Sequence, residues 1–347
     1  MREFVKRKGV SLSARVYFID ALSSMALGLF SSLIIGLIIK TVGEQLPAGY
    51  GGSFFIEMGT LAMGLMGPAI GVAVAYGLNA PPLVLFAAIA SGAAGAALGG
   101  PAGSFAAALI SVEIGKLVSK ETKIDIIVTP FVTILAGYGT AALIGPGISF
   151  LLKGLGSMIM WGTEQRPILM GIIVAVLMGL ALTAPISSAA IALMLDLHGL
   201  AAGAATIGCA AQMVGFAVSS YRENKVGGLI AQGLGTSMLQ VPNIIRNPMI
   251  LLPPTIAGAV LAPLGTTLFV LENNAAGAGM GTAGLVGQIM TVTAMGFSSV
   301  VFLKIVMLHF VGPAAISLLL SEYMRKKGWI KHDDMLIQTG GKRNEKA

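Results

Sequence analysis

Residues 272–288 read Glu-Asn-Asn-Ala-Ala-Gly-Ala-Gly-Met-Gly-Thr-Ala-Gly-Leu-Val-Gly-Gln, a polar, glycine-punctured stretch between two apolar runs of membrane-crossing length. Hydrocarbon offers no hydrogen-bond partners. Irregular backbone and a carboxylate persist at that depth only where they face protein or a water-lined cavity. The stretch therefore sets two expectations: the chain is a polytopic membrane protein, and Glu272–Gln288 belongs to a ligand site. Working outward, Ile250–Leu271 precedes it and Leu285–Leu303 follows, each long enough for a core of about 30 Å.

Composition points the same way. The chain has 347 residues, 55% hydrophobic and 11% charged, against roughly 25% charged in soluble domains. That leaves little room for a soluble enzyme domain. The 47 glycines lack the Gly-X-Y period of collagen and suit close helix packing and broken helices. One cysteine, Cys209, excludes a disulfide framework. His198, His309 and His332 lie far apart in sequence, so no metal or other cofactor is expected.

The net charge of +7 gathers at the ends: Arg2, Lys6, Arg7, Lys8 and Arg15 before the first apolar run, Arg325, Lys326, Lys327, Lys331, Lys342, Arg343 and Lys346 after the last. Bases flanking apolar spans follow the positive-inside rule rather than a nucleic-acid footprint. Both termini are expected in the cytoplasm, with an even number of crossings. Tyr17–Ile39 is too long for a cleavable signal.

The expected organisation is all-α: residues 1–16 a basic cytoplasmic terminus, 17–321 one transmembrane domain, 322–347 a basic cytoplasmic tail. Spans are expected at Tyr17–Ile39, at Phe54–Leu78, and at Leu83–Leu98 and Ala102–Val118 around a Gly99-Gly100-Pro101 break. Further spans are Ile126–Leu152, Pro167–Ala184, Gly199–Ser219, Ile250–Leu271, Leu285–Leu303 and Ile305–Leu320. Lys153–Arg166 reads as an outer loop, with a tight turn near Lys304. Ser187–Leu197 and Gly227–Gln240 are too short to cross and read as half-helices. The bundle thus has about eight to ten transmembrane helices with re-entrant or broken elements.

Two segments share a pattern. Gly235-Thr236 leads to Leu239-Gln240, and Gly281-Thr282 leads to Leu285 and Gln288. Paired, glycine-interrupted elements point to a transporter built on repeats. The candidate site is therefore Glu272, Asn273, Asn274, Gly279, Gly281, Thr282 and Gln288, with Gln240, Asn243, Arg246 and Ser187. Carboxylates and amides suit a hydroxylated solute, and freed glycine N–H groups suit an anion. Arg246 is a candidate partner for Glu272 or for an anionic ligand. Thr183-Ala-Pro185-Ile-Ser187-Ser188 joins a helix break to three hydroxyls. Lys304 reads as a snorkelling lysine, with His309 as a relay alternative. No hydrolase triad, Walker loop, HExxH helix or Rossmann fingerprint occurs.

Leu182–Ser188, Gly235–Pro248 and Gly279–Gln288 together resemble the signature segments of the phosphotransferase-system EIIC-like membrane family, which includes perfringolysin regulator-like proteins. The likeness runs from about Ser11 to Tyr323. It implies a sugar-permease fold, a homodimer, and the plasma membrane of a Gram-positive bacterium. The phosphorylated IIA and IIB partners are expected as separate proteins. The Gly-Ile-Thr-Glu-Pro sugar motif of glucose-type permeases is missing, and Gly162-Thr-Glu-Gln-Arg-Pro167 echoes it only in part. The leading expectation is a transporter of a small polar solute, a sugar or sugar-like molecule, that works by alternating access. The alternative is a non-transporting sensor or regulator on the same fold.

Overall fold

A computed structural model describes residues 2–10, 13, 16–46 and 51–337. Among them there are helices and no strands. The helices are α1 Arg2–Arg7, α2 Ala21–Leu29, α3 Ile35–Gln45, α4 Gly52–Gly64, α5 Met66–Gly77, α6 Pro82–Val118, α7 Asp125–Thr163 and α8 Pro167–Thr183. There follow α9 Ser188–Met194, α10 Gly199–Ser219, α11 Tyr221–Ile230, α12 Val241–Arg246, α13 Leu252–Thr267, α14 Ala275–Ala278, α15 Val286–Met295, α16 Ser299–Ile305 and α17 Gly312–Lys326. Six helices are long and apolar enough to cross a membrane, or seven if the pair α4 and α5, bent by 49°, is one span. The eight to ten expected crossings are reached only by adding two shorter apolar helices, Pro167–Thr183 and Ala283–Met295.

The chain forms two compact units. One comprises the described residues of Met1–Leu33, Gly64–Ile148 and Leu336–Ala347; the other comprises Ile34–Met63 and Ser149–Met335. In the first, α5 lies against both α2 and α6 at glycine contacts. A Cβ on Gly28 would lie 2.7 Å from the Ala69 carbonyl oxygen, and one on Gly71 would strike that of Ala88. The expected break in α6 is a kink at Gly99 and Gly100 within one 37-residue helix. The basic amino end is tied down: Lys8 donates to the Ser119 carbonyl and pairs with Glu121, and Lys116 donates to the Gly9 carbonyl at 3.3 Å.

The second unit is built around α10. Nearly every residue of this helix is buried, from Ala202 to Ser219 with Val218 half-buried. A helix apolar on all sides belongs inside a bundle, and α8, α13 and α17 surround this one. Lipid is as apolar as these side chains, so burial alone does little to hold the helices together. Close packing does, together with interhelical hydrogen bonds of about 0.6 kcal/mol each on average. Gly208 meets Ala175 of α8 backbone to backbone, and lies beside Gly258 of α13.

Several expected boundaries move. Lys153–Arg166 is not a loop, because α7 runs unbroken to Thr163. Leu285–Leu303 is not one span, because α15 stops at Met295 before Gly296 and α16 begins at Ser299. No turn sits at Lys304; α16, a π-helical segment Val306–Val311 and α17 form one 28-residue span, Ser299–Lys326. Position 322, the expected start of the tail, lies within α17. Beyond it the chain folds back, burying Ile330 and Met335 against Phe216, Ile250 and Met324.

Candidate functional site

Helix α10 organises the polar side chains of its unit into levels. At its amino end, Asn273 N donates to the Gly199 carbonyl at 3.2 Å. The buried Asn273 Nδ2 has three acceptors: Thr206 Oγ1 at 2.7 Å, the Gly287 carbonyl at 3.0 Å and Thr291 Oγ1 at 3.1 Å. Asn274 caps α14, its Oδ1 accepting from Gly277 N at 3.1 Å. Glu272 is exposed here, with its backbone N–H directed at Met295 Sδ.

Halfway along α10, the two broken elements meet. The first runs from α11 through a π-helical turn, Ala231–Gly235, into a 3-10 turn, Ser237–Gln240. The second is the glycine run after α14. Gly281 (φ +54°) lies against the backbone of Cys209 and Ala210, and Thr282 Oγ1 donates to the Gly233 carbonyl at 2.5 Å. Ser188 Oγ donates to the Gly279 carbonyl at 2.6 Å. Alongside lies a buried neutral network: Thr183 Oγ1 to Ser237 Oγ at 2.9 Å, Thr183 Oγ1 to Gln212 Oε1 at 3.3 Å, and Gln212 Nε2 to Thr255 Oγ1 at 2.8 Å.

The level at the carboxyl end of α10 is continuous as well. Gln232 Nε2 donates to Ser220 Oγ, Gln240 Nε2 donates to Gln232 Oε1 and to the Met335 carbonyl, and Asn243 Nδ2 donates to Gln240 Oε1. Arg246 is exposed and reaches Asn243 Oδ1 at 3.5 Å. Arg325 and Glu223 form a buried ion pair at 2.8 Å.

Residues 19–337, nearly the whole chain, match the family model described as "Phosphotransferase system, EIIC". The chain belongs to this EIIC family. A search of curated proteins and a search of solved structures found no match. EIIC membership makes the chain a multi-pass plasma-membrane protein of the sugar-permease type, with a sugar as its general substrate class and IIA and IIB phosphotransfer partners.

The expected site residues of this EIIC chain divide into levels rather than one cluster. Gly279, Gly281 and Thr282 lie at the meeting of the broken elements, and Asn273, Asn274 and Gln288 belong to the neighbouring amino-end level. Gln240, Asn243 and Arg246 lie at the other end of α10, which is about 30 Å long at 1.5 Å per residue. Among the described residues no ion pair joins Arg246 to Glu272. Ser187 is half-buried beside Ser188, whose hydroxyl makes the contact with Gly279.

Several residues outside the expected set belong to these levels, among them Gln212, Ser237, Thr255 and His309. Gln212 carried a usable signal, since a lone amide inside an apolar 21-residue span marks an interhelical hydrogen bond. His309 is fully buried in the last span, its Nδ1 3.1 Å from Gln288 Nε2. Among the described residues no three His, Cys, Asp or Glu side chains gather as metal ligands. A groove of about 490 Å³ on α7 and α8 is lined mainly by apolar side chains such as Ile173 and Leu177, with Ser157 and the Trp161 indole as its polar-bearing members.

Proposed function

We propose that this EIIC chain carries a sugar across the membrane by alternating access, holding it where the two broken elements meet beside the middle of α10. The observation that carries the reading is the Thr282–Gly233 hydrogen bond. It joins two elements with matching Gly-Thr and Gln patterns, next to the Thr183, Ser237, Gln212 and Thr255 network. Hydroxyls and amides without a net charge suit a neutral polyhydroxylated solute, because each can donate or accept as the sugar requires. Helices broken at the same depth provide backbone groups that can exchange protein partners for solute.

In this reading Asn273 and Thr291 form the wall on one side of the site, and Gln240 and Asn243 the wall on the other. Glu272 and Arg246, exposed at opposite ends, lie at the two mouths of the pathway. The basic flanks of the first and last spans support a cytoplasmic position for both termini, facing the IIA and IIB phosphotransfer proteins, and in this reading the chain works as a homodimer. The test is uptake of radiolabelled sugars into proteoliposomes, with and without IIA and IIB proteins and a phosphoryl donor. Uptake lost in Gln212→Leu and Ser237→Ala supports the reading. Sugar that binds but never crosses under either condition refutes it.

A further inference from the structure

We infer that Gln288 and His309 form a subsite for one hydroxyl group of the transported sugar, an inference that rests on the permease reading above. His309 lies near the middle of the Ser299–Lys326 span, in its π-helical segment. Such segments occur mostly as local bulges, frequently at functional sites. Its ring and the Gln288 amide touch through Nδ1 and Nε2 at 3.1 Å. That contact uses half of what each side chain offers. Gln288 Oε1 and His309 Nε2 are both buried and have no hydrogen-bond partner among the described residues.

The deficit has a definite chemistry. If the Gln288 amide donates to Nδ1, the unpaired atoms are an imidazole N–H donor and an amide oxygen acceptor. If the amide is turned, they are an imidazole acceptor and an amide donor. Each case leaves one donor and one acceptor, and a hydroxyl is the group that supplies the complement of both. Among the described residues, the other buried side-chain atoms without a partner are on Glu113, Glu223 and Arg325, which belong to ion pairs with Lys116 and with each other, and on Ser317, a lone hydroxyl. The adjoining positions on α15 are already satisfied, because Gly287 and Thr291 are both engaged by Asn273. Unpaired polar groups inside a protein are unfavourable, so a pair left half-satisfied beside a saturated network fits a site that is completed by a ligand.

The experiment uses the full chain purified in detergent and five probes: D-glucose, D-galactose, D-xylose, D-ribose and D-sorbitol. Binding is measured by equilibrium dialysis and ligand-free stability by thermal unfolding. The Gln288→Met, His309→Leu double variant is expected to melt no lower than wild type, having lost two unpaired polar atoms. It should bind the recognised sugar about tenfold more weakly or worse. If that variant fails to fold, a single-deoxy series of the same sugar takes its place. One deoxy position should weaken binding to wild type while leaving binding to Gln288→Met unchanged. Equal sugar affinity in wild type and double variant, no sensitive deoxy position, or no binding of any probe by wild type overturns the inference. If binding depends on the pair but proteoliposome uptake is absent, the permease reading falls and the hydroxyl subsite stands. If uptake is intact and binding does not depend on the pair, the subsite falls alone.

Discussion

Gly281→Ala and Gly284→Ala make a matched test of how the second broken element meets α10. Both glycines have φ +54°, so a side chain at either carries the left-handed backbone penalty of about 1–2 kcal/mol. Their surroundings differ. A Cβ on Gly281 would lie 2.7 Å from the Cys209 carbonyl carbon and 2.8 Å from Ala210 N, backbone atoms of a fully buried helix that cannot step aside. At Gly284 the nearest atom is Ile38 Cγ1 at 3.3 Å, part of a side chain that can give. Overpacking adds about 1–3 kcal/mol at Gly281, for a total of about 2–5 kcal/mol, while Gly284→Ala stays near the backbone penalty. At about 2 °C per kcal/mol for a chain of this size, thermal unfolding should drop by about 4–10 °C for Gly281→Ala and about 2–4 °C for Gly284→Ala. Equal drops, or a larger one at Gly284, would refute the close approach of this element to the middle of α10.

Asn273→Ala removes the donor shared by Thr206, Gly287 and Thr291 and should lower stability by about 1–3 kcal/mol, read by thermal unfolding. Lys225 has φ +51° and ψ −153°, a region occupied almost only by glycine at a cost of about 1–3 kcal/mol to other residues. Lys225→Gly should therefore raise the melting temperature. Near the amino end, the Lys8 ammonium donates to Glu121 and holds that carboxyl below the usual carboxylate range. A depressed pKa means the tether is at full strength above about pH 4.3, the unfolded value, and is lost as pH falls through the folded value. Limited proteolysis of the amino end should accelerate only in that acid window, and Glu121→Gln should remove the pH dependence.

The sequence made the central helix legible to the residue. Gly199–Ser219 is apolar on all sides and bounded by His198 and Ser220, so its span and its burial follow from composition alone. The shortness of Ser187–Leu197 and Gly227–Gln240 likewise marked broken elements, and the structure has α9 and the α11–3-10 segment there. What misled was local punctuation. Lys153 read as the start of an outer loop, yet α7, with Pro146 inside it, continues to Thr163, because neighbouring helices and local adjustments let membrane helices carry proline. Gly296 lay unremarked inside the expected Leu285–Leu303 span, whereas its φ of +80° ends α15. The pairing of Arg246 with Glu272 rested on charge alone, and charge carries no information about which end of α10 each residue occupies. The Gly-Thr pattern pointed instead at two elements that touch, through Thr282 and Gly233.

Cys209 provides the most direct test, because the only cysteine in the chain lies buried where Gly281 rests on α10. Its labelling by N-ethylmaleimide in proteoliposomes reports whether the broken elements separate. If the sugar is held where they meet and they part to release it, labelling should be slow at rest, faster during turnover, and suppressed by saturating sugar. A labelling rate that is the same at rest, during turnover and with saturating sugar would contradict the account.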